Sequence, residues 1–184
     1  MKQWLAIVVL SVISCIIYGI FHDQITARIC IEYFTVFHPV VIASQDLTAI
    51  GLVWGVLATW WVGVILGVPL ATVSRVGSRP KKSVGSLIRP MAILCGCTAT
   101  LASLAGLVGY IAASNGWVRL VGSLAEDIPR EKHVAFLVDL WAHNASYLGG
   151  VVGGITLMIW VWRSRGRATL SQQLHVDRSQ TVPS

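Results

Sequence analysis

The chain predicts an all-α, polytopic membrane protein: a four-helix transmembrane bundle with a structured outer loop between its first and second helices. Three observations carry this. Of 184 residues, 55% are hydrophobic and only 12% charged, and the mean hydropathy of +0.71 lies well above that of soluble domains. Four apolar runs approach or exceed the roughly 20 residues needed to cross a bilayer. The ionisable residues fall mainly between those runs, segregated by sign.

The runs predict helices over about 4–21, 47–73, 90–113 and 135–162. Residues 1–166 read as one transmembrane domain, because four spans leave little chain for anything else. Residues 167–184 carry Ser, Gln and Arg without apolar periodicity and read as a flexible cytoplasmic tail. The first run, "MKQWLAIVVLSVISC", also resembles a lipoprotein signal ending at Cys15. Apolar sequence continues through Ile16, Ile17, Tyr18 and Ile20, however, which predicts an uncleaved helix of spanning length.

Charge sets the orientation. Lys2, Arg75, Arg79, Lys81, Lys82, Arg89, Arg163, Arg165, Arg167 and Arg178 share one face of the predicted topology, whereas only Arg28, Arg119, Arg130 and Lys132 fall on the other. That second face also collects Asp23, Glu32, Asp46, Glu126, Asp127, Glu131 and Asp139. The positive-inside rule therefore puts both termini in the cytoplasm. The net charge of +6 reflects topology and contact with anionic lipid heads, and gives no argument for nucleic acid.

Glycines at four-residue spacing, Gly51, Gly55, Gly63 and Gly67 in the second span and Gly149 and Gly153 in the fourth, predict close helix approach. Packing inside the bundle and a homo-oligomeric or partner interface are both open to such faces. Pro69 is placed to kink the second span. Cys95 and Cys97 point about 200° apart on a helix and cannot jointly grip a metal, and Cys30 stands alone among the outer-loop positions, so no disulfide framework is implied.

The chemistry-bearing stretch is "FHDQITARICIEYFTVFHP", which places His22, Asp23, Glu32 and His38 on the outer side. Counted from the inner-boundary tryptophans, His22 and His143 come out at the same depth, at the exit of the first helix and the entry of the fourth. In "DLWAH", Asp139 and His143 share a helical face one turn apart, and His133 falls on it ten residues earlier. The long loop after His22 holds either a short helix capped by Asp23, with Arg28 and Glu32 paired, or an extended segment. In both cases Glu32 and His38 are expected near His22 and His143. Imidazoles with carboxylates suit a divalent transition metal or zinc, so His22, Asp23, Glu32, His38, Asp139 and His143 are the candidate ligands.

"HDQITARICIEYFTVFHP", "GLVWGVLATWWVGVILGVP", "RVGSRPKKS" and "DLWAHNASYLGG" together resemble a group of uncharacterised bacterial multi-pass membrane proteins. The resemblance covers most of 18–166 and implies a single module of this topology, with no chemistry attached. Three readings of the outer cluster remain: a solvated rim, a metal site, or a b-type haem, proton or quinone site using the same groups. Serine-hydrolase, Walker, zincin and dinucleotide motifs are absent from the sequence. An outer-face metalloprotein, with redox or hydrolytic chemistry if catalytic, and a non-catalytic assembly subunit on a membrane partner are the function classes that survive.

Overall fold

The computed structural model describes residues 1–180, with side chains described through Arg167. All regular structure among the described residues is helical, and four helical stretches are long and apolar enough to cross a membrane. The first is α1 (Lys2–Ile29). A short α2 (Glu32–Thr35) follows in the loop. The second span is split into α3 (Leu47–Leu57) and α4 (Trp60–Arg75), the third is α5 (Gly85–Ser114), and a one-turn α6 (Ser123–Asp127) precedes α7 (His133–Gln180). The polar stretch expected as a tail continues in α7 as far as Gln180, and 181–184 lie outside the described residues.

Two helix pairs build the bundle: α1 lies along α3 and α4, and α5 lies along α7, with α4–α7 and α1–α5 contacts joining the pairs. Glycine explains the first pair. A Cβ on Gly51 would sit 3.0 Å from the Asp23 carbonyl oxygen, one on Gly63 2.5 Å from Val12 Cα, and one on Gly67 2.8 Å from Ser11 Cβ. Every second-span glycine thus faces α1, and in the fourth span Gly149 faces Thr98 and Leu101 of α5. These faces are filled within the chain, where close backbone approach replaces the missing hydrophobic drive between helices in lipid. Replacing Gly55 with alanine, whose Cβ would lie 2.5 Å from Ile20 Cα, is expected to destabilise the fold by about 1–3 kcal/mol. Alanine at Gly96, where nothing lies within 4 Å, should leave the thermal midpoint in detergent unchanged or raised; equal effects at both positions would contradict the packing.

The second span breaks at Ala58–Thr59 rather than at Pro69, which α4 accommodates. The Thr59 hydroxyl takes the Gly55 carbonyl while its own N–H reaches back only to Val56, 3.3 Å away, so side chain competes with backbone for the helical ladder. Irregular backbone at this depth is tolerated because the break is packed on protein, with Thr59 and the Gly55 carbonyl against Gly19 of α1; Ala58 and Thr59 also line an apolar cleft of about 210 Å³ between the helices. Apolar clusters close both ends: Ile7, Leu70, Leu87 and Val161 beyond it toward the termini, and Cys30, Tyr33, Phe34, Ile50 and Phe136 at the opposite end.

Outside the bundle, Leu5, Ile13, Ile65, Leu104, Leu148 and Ile155 are exposed around its girth, a surface suited to a lipid bilayer. At the end carrying the termini, Arg165 is buried and its guanidinium reaches four carbonyls: Pro80 at 2.8 Å, Val76 at 2.7 Å, Arg79 at 3.0 Å, and Val73. It thereby caps the C-terminus of α4, whose last carbonyls have no helical donor. Arg79 stacks over Trp162, 4.2 Å from the ring centroid.

Candidate metal centre

The first helix does not end at Phe21. It runs on through Ile29, about two more turns, so His22 and Asp23 lie within α1 and face neighbouring helices. Asp23 is therefore not the cap of a short loop helix, and the loop starts at Cys30. Arg28 pairs with Gln24 at 2.7 Å and Thr48 at 3.1 Å instead of with Glu32. The connection into α3 is capped by Asp46, whose carboxylate accepts from Thr48 N–H at 2.9 Å.

His143 of α7 comes between the two α1 residues. Its Nε2 lies 3.2 Å from Asp23 Oδ1, and its Nδ1 lies 3.3 Å from His22 Nε2, with the two rings edge to face and centroids 4.3 Å apart. Asp23 and His143 are both buried and His22 is partly buried. One donor atom from each of the three lies within 4.8 Å of the others. Their depth match, inferred from chain length alone, thus corresponds to direct contact.

Asp139 enters this arrangement through its backbone. His143 Nδ1 lies 2.9 Å from the Asp139 carbonyl oxygen, which can only accept, so this contact places the proton on Nδ1. The Nε2 lone pair then faces Asp23 Oδ1. Two electron-pair donors 3.2 Å apart require a cation or a further proton between them. The Asp139 carboxylate points elsewhere. It is 1% exposed, and its Oδ2 has no hydrogen-bond partner among the described residues.

Glu32 and His38 are not in the three-residue group. Because α1 outruns its expected end, both are carried into the cap above it. Glu32 accepts from Cys30 Sγ at 3.3 Å, and His38 Nδ1 lies 2.8 Å from the Tyr33 carbonyl with its ring against Trp54. Burial, then the hydrogen bond to Glu32, pushes the Cys30 thiol up to about 12, which keeps it protonated and unsuited to bind metal as a thiolate. His133 is spent on the Ile128 carbonyl at 2.9 Å.

Three residues that composition and spacing did not single out shape the group. Tyr33 of α2 stacks on the His143 ring with centroids 4.2 Å apart, and burial raises its phenol above the usual value. Tyr18, one turn before His22, stacks on that ring at 5.8 Å and shares a 2.7 Å hydrogen bond with Ser146 of α7. The four-residue spacing of Tyr18 and His22 is legible in the sequence; the contact of Tyr33 with His143 needs the tertiary fold.

Two cavities meet at His22. The apolar cleft is lined by His22, Asp23 and His143 among others, while a crevice of about 700 Å³ between α1, α5 and α7 is lined by His22 and Asp139 among others. No Lys or Arg lines either one. No protein-family model, curated protein or solved structure matches the chain. Function rests on this geometry.

Proposed function

We propose that the chain is a multi-pass protein of a bacterial cytoplasmic membrane, with its termini in the cytoplasm, that binds one zinc or divalent transition-metal ion at the outer end of the bundle through His22, Asp23 and His143. The observation that carries this reading is the His143 ring: its Nδ1 is committed to a backbone carbonyl, and its Nε2 opposes a buried carboxylate oxygen at 3.2 Å. That is the usual setting of a metal-bound imidazole, whose second nitrogen donates to a carbonyl or carboxylate and so fixes the tautomer. The ligands of a tetrahedral ion with bonds near 2.0–2.1 Å stand about 3.3 Å apart, close to the 3.2 Å between His143 Nε2 and Asp23 Oδ1, and a His22 nitrogen lies within 4.8 Å of a donor atom on each of the other two.

Three protein ligands leave a fourth position for water or substrate, the pattern of catalytic rather than structural sites. The low-dielectric surroundings strengthen the ion's field on whatever occupies it. A b-type haem fits less well, because imidazole nitrogens 3.3 Å apart in edge-to-face contact leave no slab for a macrocycle.

Elemental analysis of protein purified without chelator tests the proposal. The parent and Glu126→Ala, altered at an acid outside the group, should carry about one metal per chain, as should Glu32→Ala; Asp23→Ala should carry little. Metal-free parent, or equal metal in all four, would favour a proton between His143 and Asp23 and remove the metalloprotein reading.

A further inference from the structure

The turn between α4 and α5 gathers positive charge with no acid to balance it. Arg75 and Arg79 lie near enough to the buried Arg165 guanidinium to repel it. Every acid before Arg167, from Asp23 to Asp139, belongs to the opposite end of the bundle, and among the described residues Arg75, Arg79 and Lys82 form no ion pair. Clustered cations of this kind create a field that attracts an anion.

The turn holds these charges on an ordered backbone. Lys82 N–H donates to the Ser74 carbonyl at 3.0 Å, the Arg75 guanidinium to the Lys82 carbonyl at 2.9 Å, and Val84 N–H to Gln3 Oε1 at 3.0 Å. Arg165 grips the Arg79 and Pro80 carbonyls from below. A ligand binding here therefore meets little further ordering cost. Arg79 itself lies on the Trp162 ring, and its one hydrogen bond among the described residues is a long one, 3.4 Å from Nη1 to the Trp162 carbonyl. The rest of its fork of donors suits phosphate oxygens.

Apolar surface adjoins that fork. Trp162, Ile159 and Ile155 of α7 are 42%, 48% and 50% exposed, and their spacing of three and four residues lines them along one helix face running into the membrane span. Tryptophan settles at headgroup depth, so phosphate-binding and chain-binding surfaces meet where a phospholipid carries both groups. A choline or ethanolamine head would bring its own cation against Arg75, Arg79 and Arg165; an anionic head would not.

We propose that this end of the bundle binds an anionic glycerophospholipid, with its phosphodiester on the Arg79 guanidinium and an acyl chain along Trp162, Ile159 and Ile155. The site is remote from His22, Asp23 and His143 and is independent of the metal reading.

The test incubates the full chain in detergent with equimolar dioleoyl phosphatidylglycerol and dioleoyl phosphatidylcholine, and reads retained lipid by native mass spectrometry. Phosphatidylglycerol should be retained about tenfold or more over phosphatidylcholine, and Arg79→Gln should weaken it to a similar degree. Trp162→Leu, which keeps every charge and removes the indole under Arg79, should weaken it as well. Arg163→Gln, which removes an exposed charge next in sequence, should change it by less than about twofold, and millimolar inorganic phosphate should not displace it. Thermal unfolding of the lipid-free variants separates lost binding from lost fold. Equal retention of the two lipids, equal effects of Arg79→Gln and Arg163→Gln, unchanged binding by Trp162→Leu, or displacement by phosphate would overturn the proposal and leave only a general attraction of charge.

Discussion

His143→Ala is expected to lower metal affinity by more than about a hundredfold and to end the stabilisation of the protein by added metal. Loss of an outer partner that merely orients a ligand already costs about 10–100-fold, and His143 is placed to supply a ligand atom itself. In the parent, metal at 100 times its dissociation constant should add about 2.7 kcal/mol to unfolding, because the ion binds the folded chain alone. The variant should unfold at one temperature with and without metal. It should also be less stable than metal-free parent, since Asp23, 3% exposed, loses the imidazole 3.2 Å away and Tyr33 loses the ring it stacks on. Thermal unfolding in detergent across a metal titration reads both effects. A metal-dependent shift in His143→Ala equal to that of the parent would place the ion elsewhere.

Arg165→Ala should be the most destabilising substitution at the opposite end, by about 4 kcal/mol or more. The guanidinium is the shared donor for the carbonyls of Val73, Val76, Arg79 and Pro80, and its removal strands the end of α4 and the turn after it. Lysine should recover only part of the loss, because one ammonium on a flexible stem cannot reproduce a planar fork aimed at several oxygens. Arg163→Ala, at an exposed position two residues away, should change stability by under about 0.5 kcal/mol. Denaturant unfolding of the three variants in detergent checks this, and parity between Arg165→Ala and Arg163→Ala would contradict the capping role.

The span count was legible because bilayer thickness demands long apolar runs, and these stand out in any hydropathy reading. The end of α1 was not. His22, Asp23, Gln24 and Arg28 interrupt hydropathy yet stay helical, because their partners lie on α3 and α7, which a local window cannot see. The break at Ala58–Thr59 has no proline or charge to announce it; it depends on a threonine hydroxyl competing for Gly55.

The candidate cluster was legible in part for the same reason. Depth counting put His22 and His143 level, but which carboxylate meets the imidazole depends on helix rotation. Spacing pairs His143 with Asp139 on its own helix, whereas the fold gives His143 the Asp139 carbonyl and the Asp23 side chain. Arg165 shows the same limit. Its charge marks a boundary in sequence, and only the folded chain reveals that it is buried and shared among carbonyls.

X-ray absorption at the edge of the bound metal tests the central claim most directly. The account predicts a first shell of about four nitrogen and oxygen neighbours near 2.0–2.1 Å, imidazole outer-shell scattering from two histidines, and no sulfur near 2.3 Å, since Cys30 remains a thiol hydrogen-bonded to Glu32. His22→Ala should remove one imidazole contribution from that spectrum. A sulfur-containing shell, or a spectrum unchanged by His22→Ala, would contradict a centre built from His22, Asp23 and His143.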